Sequence, residues 1–267
     1  MEDEQVEFCR YEKRGRVAYV TITRPEVLNA LHAYGNAELS GVWDDFAADD
    51  DLWVAVVTGE GNRAFSAGND LKFNAAYDAM PPAQRPELPR SRGFGGLTSR
   101  FDLFKPIVAR VNGFALGGGF ELALACDIII AAEHAEMGLP EPHVGLIAGA
   151  MGVHRLPRQA PLKAAMGYML TGRHMSARRA YELGLVSEVV PSAELDATVD
   201  SYVKDILRGA PLSVRSTKES AMSGLEMPLQ QAAVARFEWE TRRRASHDAV
   251  EGPLAFAQKR EPNWTAR

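Results

Sequence analysis

Three consecutive glycines, Gly117, Gly118 and Gly119, separate a strand-like run from an Ala/Leu-rich stretch in VNGFALGGGFELALACD at 111–127. Glycines in series cost conformational entropy on folding, so they belong where backbone must approach another group closely or adopt a positive φ. Here they fall where a helix opens. The first N–H groups of a helix lack intrahelical acceptors and carry the positive end of its dipole. The stretch is therefore suited to negative charge, either a phosphate or an oxyanion.

Spacing separates the two. A dinucleotide fingerprint needs glycine at i, i+2 and i+5. Gly113, Ala115 and Gly118 lack the second glycine, and Gly117, Gly119 and Leu122 lack the third. A P-loop needs Lys-Ser/Thr after the last glycine, whereas Phe120-Glu121 follows. A carboxylate there repels a phosphate but suits an oxyanion with an acid/base group beside it. Taken alone, the glycines also fit a tight helix–strand turn, with Glu121 as a first-turn carboxylate worth about 0.3–1 kcal/mol.

The surroundings read as α/β. Arg16–Thr23, Leu52–Thr58, Ile107–Val111 and Asp127–Ala132 are β-branched or wholly apolar runs and predict strands, several of them buried on both faces. Leu39–Asp50 predicts a helix with Leu39, Val42, Trp43 and Phe46 on one face. Met80–Gly96 is rich in Pro, Gly and Arg without periodicity, and predicts a long surface loop. After about residue 176 the chain reads as helical: Ala177–Leu183, Leu195–Leu207, Val214–Leu225 and Leu229–Ala245. This divides the chain into a mixed body, 1–190, and a helical part, 191–267.

Two further segments carry candidate chemistry. Arg63–Lys72, RAFSAGNDLK, is a small-residue loop in which Asn69 or Asp70 can cap a helix. Glu141, in Gly138-Leu139-Pro140-Glu141, precedes the apolar and small run Val144–Ala150, where a carboxylate has its pKa raised by burial.

Composition narrows the function classes. The 267 residues carry net charge −5, against a general nucleic-acid binder, which needs a basic surface. Arg242-Arg243-Arg244 reads as a solvated or oligomer-facing surface. Cys9 and Cys126 are the only cysteines, so no disulfide framework or CxxC site is expected, and no His/Cys cluster has metal spacing. No run approaches the roughly 20 apolar residues of a membrane span. The acidic start Met1-Glu2-Asp3-Glu4 is unlike a signal peptide, which points to the cytoplasm.

Together these motifs resemble the crotonase (enoyl-CoA hydratase/isomerase) superfamily. The matching runs are Arg24-Pro25 with Asn29-Ala30-Leu31, then AFSAGNDLK at 64–72, KPIVARVNGFALGGGFELALACD at 105–127 and GLPEPHVGL at 138–146. TGRHMSARRAYELGLVSEVVP at 171–191 and EGPLAFAQKR at 251–260 complete the set. Within it the chain is most similar to the carnitinyl-CoA dehydratase branch, through FSAG-x-DLK at 65–72, GGFELALA at 118–125 and DAVEGPLAFAQKREPNW at 248–264.

The resemblance implies a spiral of ββα units with a helical C-terminal trimerisation region, and a homotrimer or homohexamer. It implies a hydro-lyase that adds or removes water across the α,β bond of an acyl-CoA, with Glu121 and Glu141 as catalytic residues. The backbone N–H groups of Asn69 and Gly118 form the implied oxyanion hole. Arg24, Ala67, Asp70, Lys72 and Gly117 are implied contacts to the CoA part, with Phe256 and Lys259 reaching a neighbouring subunit's CoA. No metal and no cofactor other than substrate coenzyme A is expected. Asn69 and Met151 depart from the family pattern, where a small or aromatic residue and a glycine are usual. Isomerases or hydrolases on the same fold, and a catalytically idle acyl-CoA binder, are the alternatives.

Overall fold

In the computed structural model, which describes residues 6–267, three of the long buried strands are each followed by a very short one. β1 (Cys9–Arg14) and β2 (Val17–Ile22) form an antiparallel hairpin, and α1 (Ala33–Ala48) follows. Three successive units come next. The first is β3 (Val54–Gly59), β4 (Ala64–Ser66) and α2 (Leu71–Ala79). The second is β5 (Ile107–Val111), β6 (Phe114–Leu116) and α3 (Gly118–Ala125). The third is β7 (Ile128–Ala132), β8 (Glu136–Gly138) and a 3-10 turn, Glu141–Val144. α4 (Gly152–Gln159), α5 (Leu162–Thr171), β9 (His174–Ser176), α6 (Ala177–Glu182) and β10 (Glu188–Val190) complete the mixed part. Helices follow: α7 (Leu195–Arg208), α8 (Pro211–Gly224), α9 (Leu229–Ala232), α10 (Glu238–Arg244) and α11 (Asp248–Ala257).

The first strand of every unit joins a six-stranded sheet, β1-β2-β3-β5-β7-β10, parallel beyond the opening hairpin. The second strand joins a four-stranded sheet, β4-β6-β8-β9. The chain thus steps from large sheet to small sheet to helix and back, which is the expected spiral of ββα units. The inner strands β3, β5 and β7 are buried on both faces, as their continuous apolar runs require. Ala55, Val57, Ala109 and Ile129 share a core with Leu39, Trp43 and Phe46 of α1 and Phe120 and Leu122 of α3. Val54, Val56, Val108 and Ile130 meet Leu195, Val199 and Val203 of α7. Each Val, Leu, Ile or Phe among them, once buried, contributes about 1.5–3 kcal/mol.

Several boundaries differ from the sequence reading. α1 opens six residues before Leu39, because His32 Nδ1 accepts the Gly35 N–H (3.2 Å) and so caps an earlier start. The expected helix Leu229–Ala245 is broken into α9 and α10. The α10 terminus is fixed from α8, where Glu219 accepts the Trp239 N–H at 2.7 Å. Met80–Gly96 is irregular apart from two 3-10 turns, but its end is not on the surface: Phe94, Gly95 and Gly96 are buried. The arginines of 242–244 are paired with Glu238 and Glu240. The acidic start at Met1–Glu4 lies outside the described residues. Among the described residues no helix is long and apolar enough to cross a membrane, and no group of three or more His, Cys, Asp or Glu could hold a metal ion.

Candidate active site

The small sheet explains why distant motifs meet. β4, β6 and β8 are neighbours, so the segments that leave them are neighbours too. Asn69 follows β4, Gly117 and Gly118 follow β6, and Glu141 follows β8. The Gly117 N–H donates to the Gly138 carbonyl at 2.9 Å, joining the second and third segments. Gly68 (φ +91°) joins the first and second. A Cβ placed on it would stand 2.7 Å from the Leu116 carbonyl oxygen and 2.9 Å from the Gly118 nitrogen. Only a bare backbone permits that approach.

Two amides are left over. Leu31 donates to the Gly68 carbonyl (2.9 Å) and accepts from the Asp70 N–H (3.0 Å), bracketing Asn69 without using its own N–H. Gly118 is the first residue of α3, preceded by Gly117 at φ +53°. Among the described residues neither the Asn69 nor the Gly118 N–H has a protein acceptor. The loop before Asn69 is rigidly tied, with Ser66 Oγ donating to the Asn29 carbonyl (2.8 Å) and accepting the Gly68 N–H (3.2 Å).

Glu121 lies one turn into α3 and is 2% exposed. Its Oε1 accepts the Gly152 N–H at 2.7 Å. Burial pushes its pKa up to about 7, helped by the nearby Glu141 carboxylate and resisted by the Gly152 and Ala150 amides and by Arg155. Glu141 opens its 3-10 turn half-buried, and burial pushes its pKa up as well. Its Oε2 is buried, with no hydrogen-bond partner among the described residues. Its Oε1 lies 3.1 Å from the position a Gly117 Cβ would take. The two carboxyls and the two free amides thus belong to one cluster. Met151, between the residues whose amides face Glu121, has φ +81°, the left-handed conformation that favours glycine.

The remaining predicted residues divide. Arg24 is ion-paired with Asp70 (3.1 Å), both being largely buried, and also donates to the Ala30 carbonyl. Asp70 caps α2 by accepting the Phe73 N–H (3.1 Å). Burial pushes its pKa up, but the Phe73 amide and Arg24 outweigh this and hold its carboxyl below the usual range. Arg24 and Asp70 therefore brace the Asn69 loop. Ala67 is fixed beside it through its N–H to the Leu28 carbonyl (2.9 Å), while Lys72 is exposed on α2. Phe256 (87% exposed) and Lys259 lie at the end of α11, and the hydrogen-bond network of the site does not reach them. A surface cleft of about 280 Å³ lined by Glu188, Glu194, Ser201 and Tyr202 contains none of the predicted residues. The sequence reading missed Gly152, Arg155 and Phe94. Gly152 lies just past the small-residue run Val144–Ala150, and Phe94 in the Met80–Gly96 loop, but nothing local ties either to the glutamates.

A family model described as enoyl-CoA hydratase/isomerase matches residues 12–267. (E)-Benzylidenesuccinyl-CoA hydratase of Thauera aromatica is 39% identical over 252 residues, covering 94% of this chain and 96% of that protein. Carnitinyl-CoA dehydratase of Escherichia coli (strain K12) is 39% identical over 261 residues, covering 96% and 97%. Among solved structures, the enoyl-CoA hydratase from Mycobacterium tuberculosis H37Rv matches with a TM-score of 0.87 at 34% identity, covering 97% of this chain and 99% of that one. With the small-sheet loops already in place, these matches settle the kinship read from the motifs: the chain belongs to the enoyl-CoA hydratase/isomerase family.

Proposed function

We propose that this protein is a hydro-lyase that adds water to, or removes it from, the α,β bond of an acyl-CoA thioester. The observation that carries this reading is the meeting of two unpartnered amides with two carboxylates of raised pKa, one buried and one half-buried. Family membership and relatives named as a hydratase and a dehydratase support it.

The thioester carbonyl oxygen accepts from the N–H groups of Asn69 and Gly118. Polarisation makes Cβ electrophilic and Cα acidic. In hydration a water sits between Glu121 and Glu141. One carboxylate takes a proton as the water oxygen bonds to Cβ, and the π electrons move onto the carbonyl oxygen as an enolate. The other carboxyl delivers a proton to Cα, the carbonyl reforms, and the elements of water have been added. Dehydration reverses each step. The task needs one carboxyl protonated and one ionised at the same pH, and the rise of the Glu121 pKa to about 7 makes its protonated form accessible near neutrality. Positioned proton transfer contributes about 10²–10⁴-fold, and each oxyanion donor about 2.7–4 kcal/mol.

Coenzyme A enters as part of the substrate, with no separate cofactor or metal. Lys72, Ala67 and Gly117 contact its pantetheine side, and the Arg24–Asp70 pair holds the loop they share. Phe256 and Lys259 reach the CoA of a neighbouring subunit in a homotrimer or a dimer of trimers in the cytoplasm. The exposed apolar side chains Leu225, Leu229, Val234 and Phe256 of the helical part support such an assembly.

The test is a panel of enoyl-CoA esters followed by loss of enoyl-thioester ultraviolet absorbance. Turnover is expected in the wild type and is lost in Gly118→Pro, which has no N–H. Binding of acyl-CoA with no turnover of any ester would replace the enzyme by a binding protein.

A further inference from the structure

We propose that Phe94 is the positioning residue for the Gly118 amide, pressed against it by a glycine-built wedge between α1 and α3. The inference rests on the acyl-CoA reading above and adds a residue to that site.

The wedge is Gly93-Phe94-Gly95-Gly96, the buried end of the otherwise exposed proline-rich segment. Its three glycines have φ of +84°, +58° and +65°. Four hydrogen bonds tie it and its flanks to their surroundings. The Gly95 N–H donates to Asn36 Oδ1 (2.7 Å), and the Gly95 carbonyl accepts from Nε1 of the fully buried Trp43 (2.8 Å). The Arg92 N–H donates to Ser40 Oγ (2.9 Å), and the Gly96 carbonyl accepts from Arg100 Nε (3.2 Å). On the other side a Cβ at Gly95 would meet Leu122 of α3 at 2.9 Å. The backbone is thus packed between two helices and admits one side chain, that of Phe94, which is 5% exposed.

That ring is aimed at Gly118. A Cβ built on Gly118 would stand 2.6 Å from the Phe94 ring carbons. The ring therefore fills the space that a side chain at 118 would have used. A glycine opening a helix has a loosely determined peptide plane, and an oxyanion donor is effective only when fixed in advance and kept dry. Phe94 supplies both restraints from outside α3.

The test uses a conjugated 2,4-dienoyl-CoA, whose absorbance moves to longer wavelength when its carbonyl is polarised, and a CoA thioether that lacks the carbonyl. The wild type is expected to show the shift. Phe94→Ala shrinks it and lowers kcat by about tenfold, short of the 10²–10³-fold cost of losing a donor outright. Its KM and its affinity for the thioether stay unchanged. Phe94→Leu restores most of the shift, and Asn36→Ala, which loosens the wedge without touching the ring, gives a smaller loss of the same kind. A full shift and full kcat in both Phe94→Ala and Asn36→Ala overturn the inference alone. Equal weakening of thioester and thioether binding also overturns it, since that marks a merely structural residue. No shift in the wild type overturns the acyl-CoA reading and the inference together.

Discussion

Glu121 and Glu141 occupy matching places, each in the first turn after a strand of the small sheet, yet the chain holds them differently. Glu121 stands in an eight-residue helix, 2% exposed, with Oε1 bound by the Gly152 amide. Glu141 stands in a four-residue turn ended by Gly145 at φ +73°, half-buried, with an unpartnered Oε2. The residues after it, Val144, Leu146 and Ile147, are exposed. One carboxyl is fixed and tuned by backbone, while the other is left free to engage what binds.

The largest effect expected from breaking this pair is on turnover. Glu121→Gln and Glu141→Gln each lower kcat by about 10²–10⁴-fold with CoA affinity retained. Steady-state kinetics beside CoA titration checks this; loss of affinity with turnover intact would contradict the roles.

The next effect separates the two carboxyls by pH. A rise in the Glu121 pKa from 4.5 to about 7 corresponds to about 3 kcal/mol between protonated and ionised forms. Between those values the folded protein binds more protons than the unfolded chain, so wild-type stability falls as pH rises. Glu121→Gln keeps the acceptor for Gly152 and cannot ionise. It should be more stable than the wild type at pH 8 by up to about 3 kcal/mol, with the gap closing towards pH 4. Denaturant melts at both pH values report it.

A smaller effect tests the backbone grip on Glu121. A Cβ on Gly152 would stand 2.8 Å from Glu121 Oε1, whereas one on Gly149 would meet only Ile147, at 3.8 Å. Gly152→Ala should cost about 1–3 kcal/mol of stability and most of the activity; Gly149→Ala should do neither. Equal tolerance of both would show that the grip is unimportant. The smallest effect is at Met151, whose left-handed backbone strains a non-glycine residue. Met151→Gly should gain about 1 kcal/mol, less glycine's own entropic cost, read as a small rise in Tm.

What the sequence revealed follows from how local each signal is. The triple glycine, Glu121 behind it and the apolar strands were visible because their reasons lie within a few residues. A helix cap at Asn69 or Asp70 was visible for the same reason, and Asp70 is the one the structure uses. The strands β4, β6, β8 and β9 were not, being three residues long and defined only by their sheet partners. The spiral came from the family resemblance, since no periodicity encodes it. The amide that holds Glu121 is 31 residues away, and the ring against Gly118 comes from a segment that reads as loop. Arg24, a CoA contact by resemblance, is paired in the fold with Asp70, 46 residues on, which no local signal announces. Each miss is a contact made by tertiary structure, where composition and spacing carry no trace.

The central claim is that these amides and carboxyls together move the elements of water. Incubating an enoyl-CoA with the protein in water doubly labelled with deuterium and oxygen-18, then reading the product by mass spectrometry, tests it most directly. The account predicts one oxygen-18 at Cβ and one deuterium at Cα. Deuterium at Cα without oxygen-18 would contradict it in favour of double-bond migration, and incorporation of neither by a protein that binds the ester would contradict catalysis altogether.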